Sequence, residues 1–349
     1  MLLLLALQVE ACPFCNPSSS DLYTITSNSK VVARVEKVGS GKFKILELLK
    51  GEAKVGRVVL AGEGREEAAS APFLLASTVS NPSQPYWSDP VRPLTAEEYR
   101  FFKTALSLGS NAELLDLAAK NVGAPSDLIS ESAYNILANA PLEEVQKRGA
   151  LVGQKKLVEW LKKPATPSSR RSLYLLMSLP GLSDADKGWL GKQVFDPALS
   201  PYADHLPPLM AAYAEVAGAG GVDALRQRWL KPTTSSSASF GATSGFVFIG
   251  NNSKDASTKA AARKLFRTEL KHPERGVFAI SVLGEWRDFT PADEIEALAF
   301  QNAETPWVIT SATRYFRSFE NEKARAALKR LQARFPKIVE SADKPYPKI

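Results

Sequence analysis

Cys12 and Cys15 are the only cysteines, and His205 and His272 the only histidines, in the 349-residue chain. A Cys-x-x-Cys pair can exchange disulfides when a helix N-terminus stabilises one thiolate for attack. The surroundings of Cys12-Pro13-Phe14-Cys15 do not promise that support: Asn16-Pro17-Ser18-Ser19-Ser20 follow, a poor first helical turn. Covalent haem attachment needs histidine directly after the second cysteine, and Asn16 stands there. Zinc needs four ligands, against two cysteines and two distant histidines. What remains is a small-loop disulfide or an exposed thiol pair in an oxidising compartment. Closing so short a loop adds little stability. Cys12 and Cys15 are therefore redox candidates only, and the sequence assigns no catalytic residue, cofactor or metal ligand.

The histidines read as helix-end residues. His205 precedes Leu206-Pro207-Pro208; His272 precedes Pro273 at a helix C-terminus, where positive charge is favoured. No Gly-x-Ser-x-Gly elbow accompanies them. Gly39-Ser40-Gly41 and Gly62-Glu63-Gly64 read as turns and not as phosphate loops, since no helix follows in a βαβ unit. Arg170, Arg171, Lys323, Arg325, Lys329, Arg330 and Arg334 read as solvated helix faces.

The elements that would position these residues begin with an apolar leader, Met1-Leu2-Leu3-Leu4-Leu5-Ala6-Leu7, that runs to Ala11. An apolar run closed by a small residue is how a secretory signal ends, although a basic start and a length of about 15–30 residues are missing. The expectation is an exported protein of the periplasm, envelope or exterior, with residues 1–11 as a signal segment, whole or truncated. It meets a membrane only if Cys12 carries lipid. The net charge of +7 contains no long run of like charge, and export removes nucleic acid as a partner.

Residues 12–92 read as a small antiparallel barrel or sandwich, the β-barrel being the leading reading. Val31–Val38 and Lys42–Leu49 flank the Gly-Ser-Gly turn; 57–61 and 73–76 supply further strands. Pro82, Pro85, Pro90 and Pro93 form a stiff connector. From Thr95 the period turns helical, opened by a cap and acidic first turn in Thr95-Ala96-Glu97-Glu98. Amphipathic segments follow near 111–121, 126–139, 141–149, 154–163, 168–179, 183–193, 205–217 and 221–230. The Ser-rich stretch 233–239 looks like a linker, yet the repeat spacing predicts a helix over 237–250. Helices are then expected over 256–271, 276–286, 291–301, 306–318 and 320–335, with a loose tail over 337–349.

An internal repeat organises residues 93–336. Tyr134, Tyr174 and Tyr213 stand 40 and 39 residues apart, each followed by an apolar residue, small residues and a turn. Trp286-Arg287-Asp288-Phe289 and Phe316-Arg317-Ser318-Phe319 echo one another 30 residues apart. A helix pair at this interval is the mark of an α-solenoid, and these aromatics read as core packing.

The Cys-Pro-Phe-Cys wording is similar to the glutaredoxin active site, though the proline turn and βαβ core of that fold have no counterpart here. The run from Ala11 to Glu52 resembles a family of exported bacterial proteins of uncharacterised function. These open on Ala-Cys-Pro-Phe-Cys and continue with a Val-Val-Ala-Arg-type strand and Phe-x-Ile-x-Glu-x-Leu-Lys-Gly-Glu. Val31-Val32-Ala33-Arg34 and Phe43–Glu52 carry the match, with one residue of extra spacing near Leu48-Leu49. The same layout is similar to the netrin/TIMP-like OB barrel, and 93–336 resembles HEAT-type repeats in architecture. The overall expectation is a multidomain α+β protein, an OB/NTR-like β-barrel followed by a HEAT-like α-solenoid. The expected function is non-enzymatic binding or scaffolding in the envelope through the helical surface, with a protein or envelope polymer as partner. One alternative is a thiol–disulfide protein acting through Cys12 and Cys15. A second is a metalloproteinase inhibitor, in which the resemblance implies chelation through an N-terminal Cys12.

Overall fold

A computed structural model describes residues 12, 14–15, 17–60, 73–77, 93–109, 112–196, 206–231, 234, 236–272 and 275–342. These form two compact units that divide at Asp186 and Lys187. The expected linker Pro82–Pro90, the turn at 62–64 and His205 lie outside the described residues.

The first unit begins with a helix where the sequence reads as β: α1 covers Leu22–Asn28. Its Thr-Ile-Thr core favours strand locally. Asp21 decides the matter by accepting the backbone N–H groups of Tyr23 and Thr24, which orphan amides at a helix start require. Four strands follow, β1 (Val31–Gly39), β2 (Lys42–Lys50), β3 (Val58–Leu60) and β4 (Phe73–Ser77), all antiparallel, in the order β3-β2-β1-β4. β3 and β4 are not neighbours, so the closed barrel expected from the sequence is, among the described residues, an open half-barrel. Alternate residues Val31, Ala33, Val35, Phe43, Ile45 and Val59 make its core, as a strand's two-residue period dictates. Gly51 closes β2 at φ 75°, and a Cβ there would fall on the carbonyl of Lys30.

The helices of this unit are α2 (Ala96–Leu108), α3 (Ala112–Asn121), α4 (Asp127–Ala138), α5 (Leu142–Lys147), α6 (Gly149–Val152), α7 (Gln154–Lys162) and α8 (Ser168–Ser178). α2 starts with the capping box read from the sequence. Thr95 Oγ1 accepts the Glu98 N–H at 3.2 Å, and Glu98 Oε2 accepts the Thr95 N–H at 2.9 Å. The other oxygen of buried Glu98 accepts Ser126 Oγ, the cap of α4, at 2.6 Å, so one carboxylate starts two helices. The sheet joins the helices through Glu47 on β2, which takes bonds from Tyr99 and Lys103 of α2. Helix α9 (Asp184–Val194) crosses the division between the units.

The second unit contains α10 (Leu206–Trp229), α11 (Ser236–Asn252), α12 (Ala256–Glu269), α13 (Gly276–Glu285), α14 (Ala292–Gln301), α15 (Pro306–Arg317), α16 (Glu322–Arg334) and α17 (Pro336–Ser341). Gly218, at φ 71°, breaks α10 into the two segments expected from the sequence. The Ser-rich α11 is helical because Ala242, Phe246 and Ile249 are buried, which overrides weak propensity. The repeated aromatics tie neighbouring helices together. Phe289 packs on Phe319 at 4.8 Å, and the Tyr315 hydroxyl donates to the Asp288 carbonyl at 2.7 Å. The tail expected loose over 337–349 begins instead as α17. Buried Val339 and Ala342 hold it, and Arg314 and Arg317 of α15 donate to their carbonyls.

Gly51→Ala is expected to lower unfolding stability by at least about 2 kcal/mol, from the left-handed backbone and the Lys30 clash together. Urea melts of the two proteins check this; equal midpoints would contradict the geometry.

Candidate functional site

Cys12 and Cys15 are joined in a disulfide with Cα atoms 5.3 Å apart. The Cys15 N–H donates to the Cys12 carbonyl at 3.2 Å, which closes a tight turn. Both cysteines are 4% exposed and Phe14 is buried beside them, so the pair is linked and covered instead of being an exposed dithiol. Ser18 then fastens the segment to α4: its N–H donates to Asn135 Oδ1 at 2.6 Å. Asp21 follows, 8% exposed, and accepts Ser132 Oγ of α4 at 3.2 Å while it caps α1. Burial lifts the Asp21 carboxyl above the ordinary aspartate range, and the bonds from Thr24, Tyr23 and Ser132 reverse that only in part. Burial, with the Asp21 charge beside it, also raises the Tyr23 phenol.

Held this way, α1 forms one wall of a cleft of about 730 Å³, within the usual range for small-molecule sites. Tyr23, Thr24, Ser27 and Asn28 line it from α1, and Lys50 from the end of β2. α2 contributes Ala105, Leu106 and its C-cap Gly109; α3 contributes Leu114 and Leu115. Asn135, Ile136 and Asn139 come from the end of α4, followed by Ala140 and Pro141. Among the described residues the lining mixes apolar side chains with hydroxyls and amides, and holds no carboxylate and a single ammonium. That ammonium, Lys50 Nζ, donates to the Ser27 carbonyl at the end of α1.

The sequence candidates are placed beside this cleft or away from it. The disulfide lies on the segment that docks α1 but does not line the cavity. His272 is in the other unit, three residues past the end of α12. Its N–H donates to the Glu269 carbonyl at 3.0 Å, and its buried Nδ1 has no hydrogen-bond partner among the described residues. Arg170 is not the solvated-face residue the sequence suggests. It is 18% exposed and bonds Glu131, Ser130 and the Val122 carbonyl, where α8 packs on α4. Lys323 and Arg330 of α16 pair with Asp293 and Glu296 of α14. At the junction of sheet and α2, burial and the bond to Glu47 push the Tyr99 phenol up to about 12, so it is an un-ionised donor at neutral pH. Sequence reasoning missed the cleft residues. The turn expected after Tyr134 falls among them, at Asn139-Ala140.

Among the described residues no group of three or more His, Cys, Asp or Glu is placed to hold a metal ion. Among them, too, no helix is long and apolar enough to cross a membrane. Comparison with protein-family models, with curated proteins and with solved structures finds no match to the chain.

Asp21 separates a cap from a charge. Asp21→Ala is expected to cost about 1–2 kcal/mol, whereas Asp21→Asn keeps the cap and costs little. Because folding raises this carboxyl's pKa, its contribution is full below the ordinary aspartate range and is lost as pH rises through the folded value. Asp21→Asn should flatten that slope in urea midpoints measured from pH 3 to 7. A slope unchanged by the substitution would contradict the assignment.

Proposed function

We propose that this chain is an exported, non-enzymatic binding or scaffold protein of the cell envelope. In this reading the half-barrel belongs to an OB/NTR-like module, and the helices, packed as sequence neighbours, form a HEAT-like binding surface. The cleft bounded by α1, α2, α3 and α4 carries the proposal. It is a preformed concave site of ligand size whose polar lining offers hydrogen bonds and, among the described residues, no carboxylate, imidazole or thiol. The apolar leader and the cysteine pair support an oxidising, exported setting.

The disulfide gives a second reading its own support: a thiol–disulfide protein that uses Cys12 and Cys15 in turn. Burial of both residues bears on this reading, since exchange requires a reductant to reach a sulfur.

The test uses the full chain purified from its native envelope. Thermal melts are recorded with peptidoglycan fragments, phospholipid vesicles and solubilised envelope proteins, beside assays of ester, peptide and phosphate hydrolysis and of insulin reduction. A binder is expected to show saturable stabilisation by one fraction, on the order of 5–10 °C at high occupancy, and no turnover. Robust hydrolysis would overturn the proposal; insulin reduction that vanishes in Cys12→Ser would replace it with the redox reading.

A further inference from the structure

The lining of the cleft selects among ligand classes. Its floor is apolar, made by Leu106, Leu114, Leu115 and Ile136. Its polar lining carries the hydroxyls of Tyr23, Thr24 and Ser27, the amides of exposed Asn28 and Asn139, and the amide of fully buried Asn135. Three helix C-termini, those of α1, α2 and α4, border it, and backbone carbonyls gather partial negative charge at such ends.

Each property removes a class. A cation would find the helix ends but no carboxylate, and the Lys50 ammonium would oppose it. An anion would find Lys50 alone, with its Nζ on the Ser27 carbonyl and three helix C-termini against it. A pure hydrocarbon would strip water from hydroxyls and amides without replacing their hydrogen bonds, which costs more than the apolar floor returns. The complementary molecule is uncharged, has one apolar face, and donates hydrogen bonds around its edge. Donors matter because Asn139 turns its NH₂ group onto the Asn135 carbonyl at 2.9 Å, which leaves its Oδ1 to accept. Asn135 is committed on both sides, its NH₂ to the Glu131 carbonyl and its Oδ1 to the Ser18 N–H.

A pyranose ring has that description: axial C–H groups make an apolar face, and hydroxyls surround it. We propose that the cleft is a binding site for a neutral saccharide. The ring face lies on Leu106, Leu115 and Ile136, and its hydroxyls donate toward the helix ends and Asn139. The inference rests on the binding reading and adds the ligand's chemistry to it. An amino-sugar polymer of the envelope and a free glucan present the same chemistry, so both are tested as sources.

The experiment is isothermal titration of the full chain with N-acetylglucosamine trisaccharide, maltotriose, decanoate and decylamine. Saturable binding of a trisaccharide is expected, with a Kd that changes less than about twofold between low and high salt, because no net charge is neutralised. Binding of the acetamido sugar alone assigns an envelope glycan; binding of both assigns a general glucan site; either supports the proposal. Leu106→Trp, which fills the floor, should weaken binding about tenfold or more. Asn139→Ala, at an exposed position that tolerates truncation, should weaken it about three- to tenfold through one lost hydrogen bond. Circular dichroism and thermal midpoints confirm that both variants fold. Absence of saccharide saturation, or saturation indifferent to both variants, overturns the inference. Decanoate or decylamine binding that Leu106→Trp abolishes, with no sugar bound, also overturns it but leaves the protein a binder. Turnover in the hydrolysis assays, by contrast, is the result that removes the binding reading itself.

Discussion

A buried carboxylate at Asp21 fixes the start of the first unit. It accepts two backbone amides that begin α1 and one hydroxyl from α4, and it does so at a position where solvent scarcely reaches. Its negative charge is disfavoured by burial, yet it is kept because orphan amides at a buried helix start have no cheaper partner. The same contact fixes how α1 lies on α4, and the wall of the cleft is a consequence of that placement. Ser18 on Asn135 repeats the logic one turn along α4, so the disulfide segment and the cleft share a residue.

Glu98 plays the matching part for α2 and α4. Two buried carboxylates thus set three helices, while the apolar core supplies most of the driving force without specifying their register. In the second unit the specification is aromatic. Phe289, Tyr315 and Phe319 interlock, and Asp288 takes Arg267 through its carboxylate and Tyr315 through its carbonyl. Burial alone would raise the Asp288 carboxyl, but the Arg267 guanidinium and the Thr290 bonds outweigh it and hold it below the usual range.

Much of this was legible in the sequence. The strands around Gly39-Ser40-Gly41, the capping box at Thr95 and the helix hidden in the Ser-rich stretch before Phe246 follow from period, cap and repeat spacing. α1 was not legible, because Thr24, Ile25 and Thr26 favour strand, and the Asp21 cap that decides for helix is itself held by a bond from Ser132, more than a hundred residues away. The start of α17 was hidden for a related reason. Its length is too short to show a period, and carbonyl bonds from Arg314 and Arg317 fix it. The cleft was illegible because its lining comes from five separate segments, none of which carries a motif. The cysteines, conversely, carried a conspicuous motif whose structural setting is a covered turn.

The separation between Ser18 and Asn135 has a consequence for the order of events in folding. The disulfide spans only three residues and can close as soon as both sulfurs meet an oxidant. Its docking site on α4 is 117 residues further along the chain. A loop of that span has to be closed before any contact rewards it, and such long-range closures are slow relative to local helix formation. The segment is therefore expected to dock late in folding, and the cleft wall it carries to close after α4 has formed.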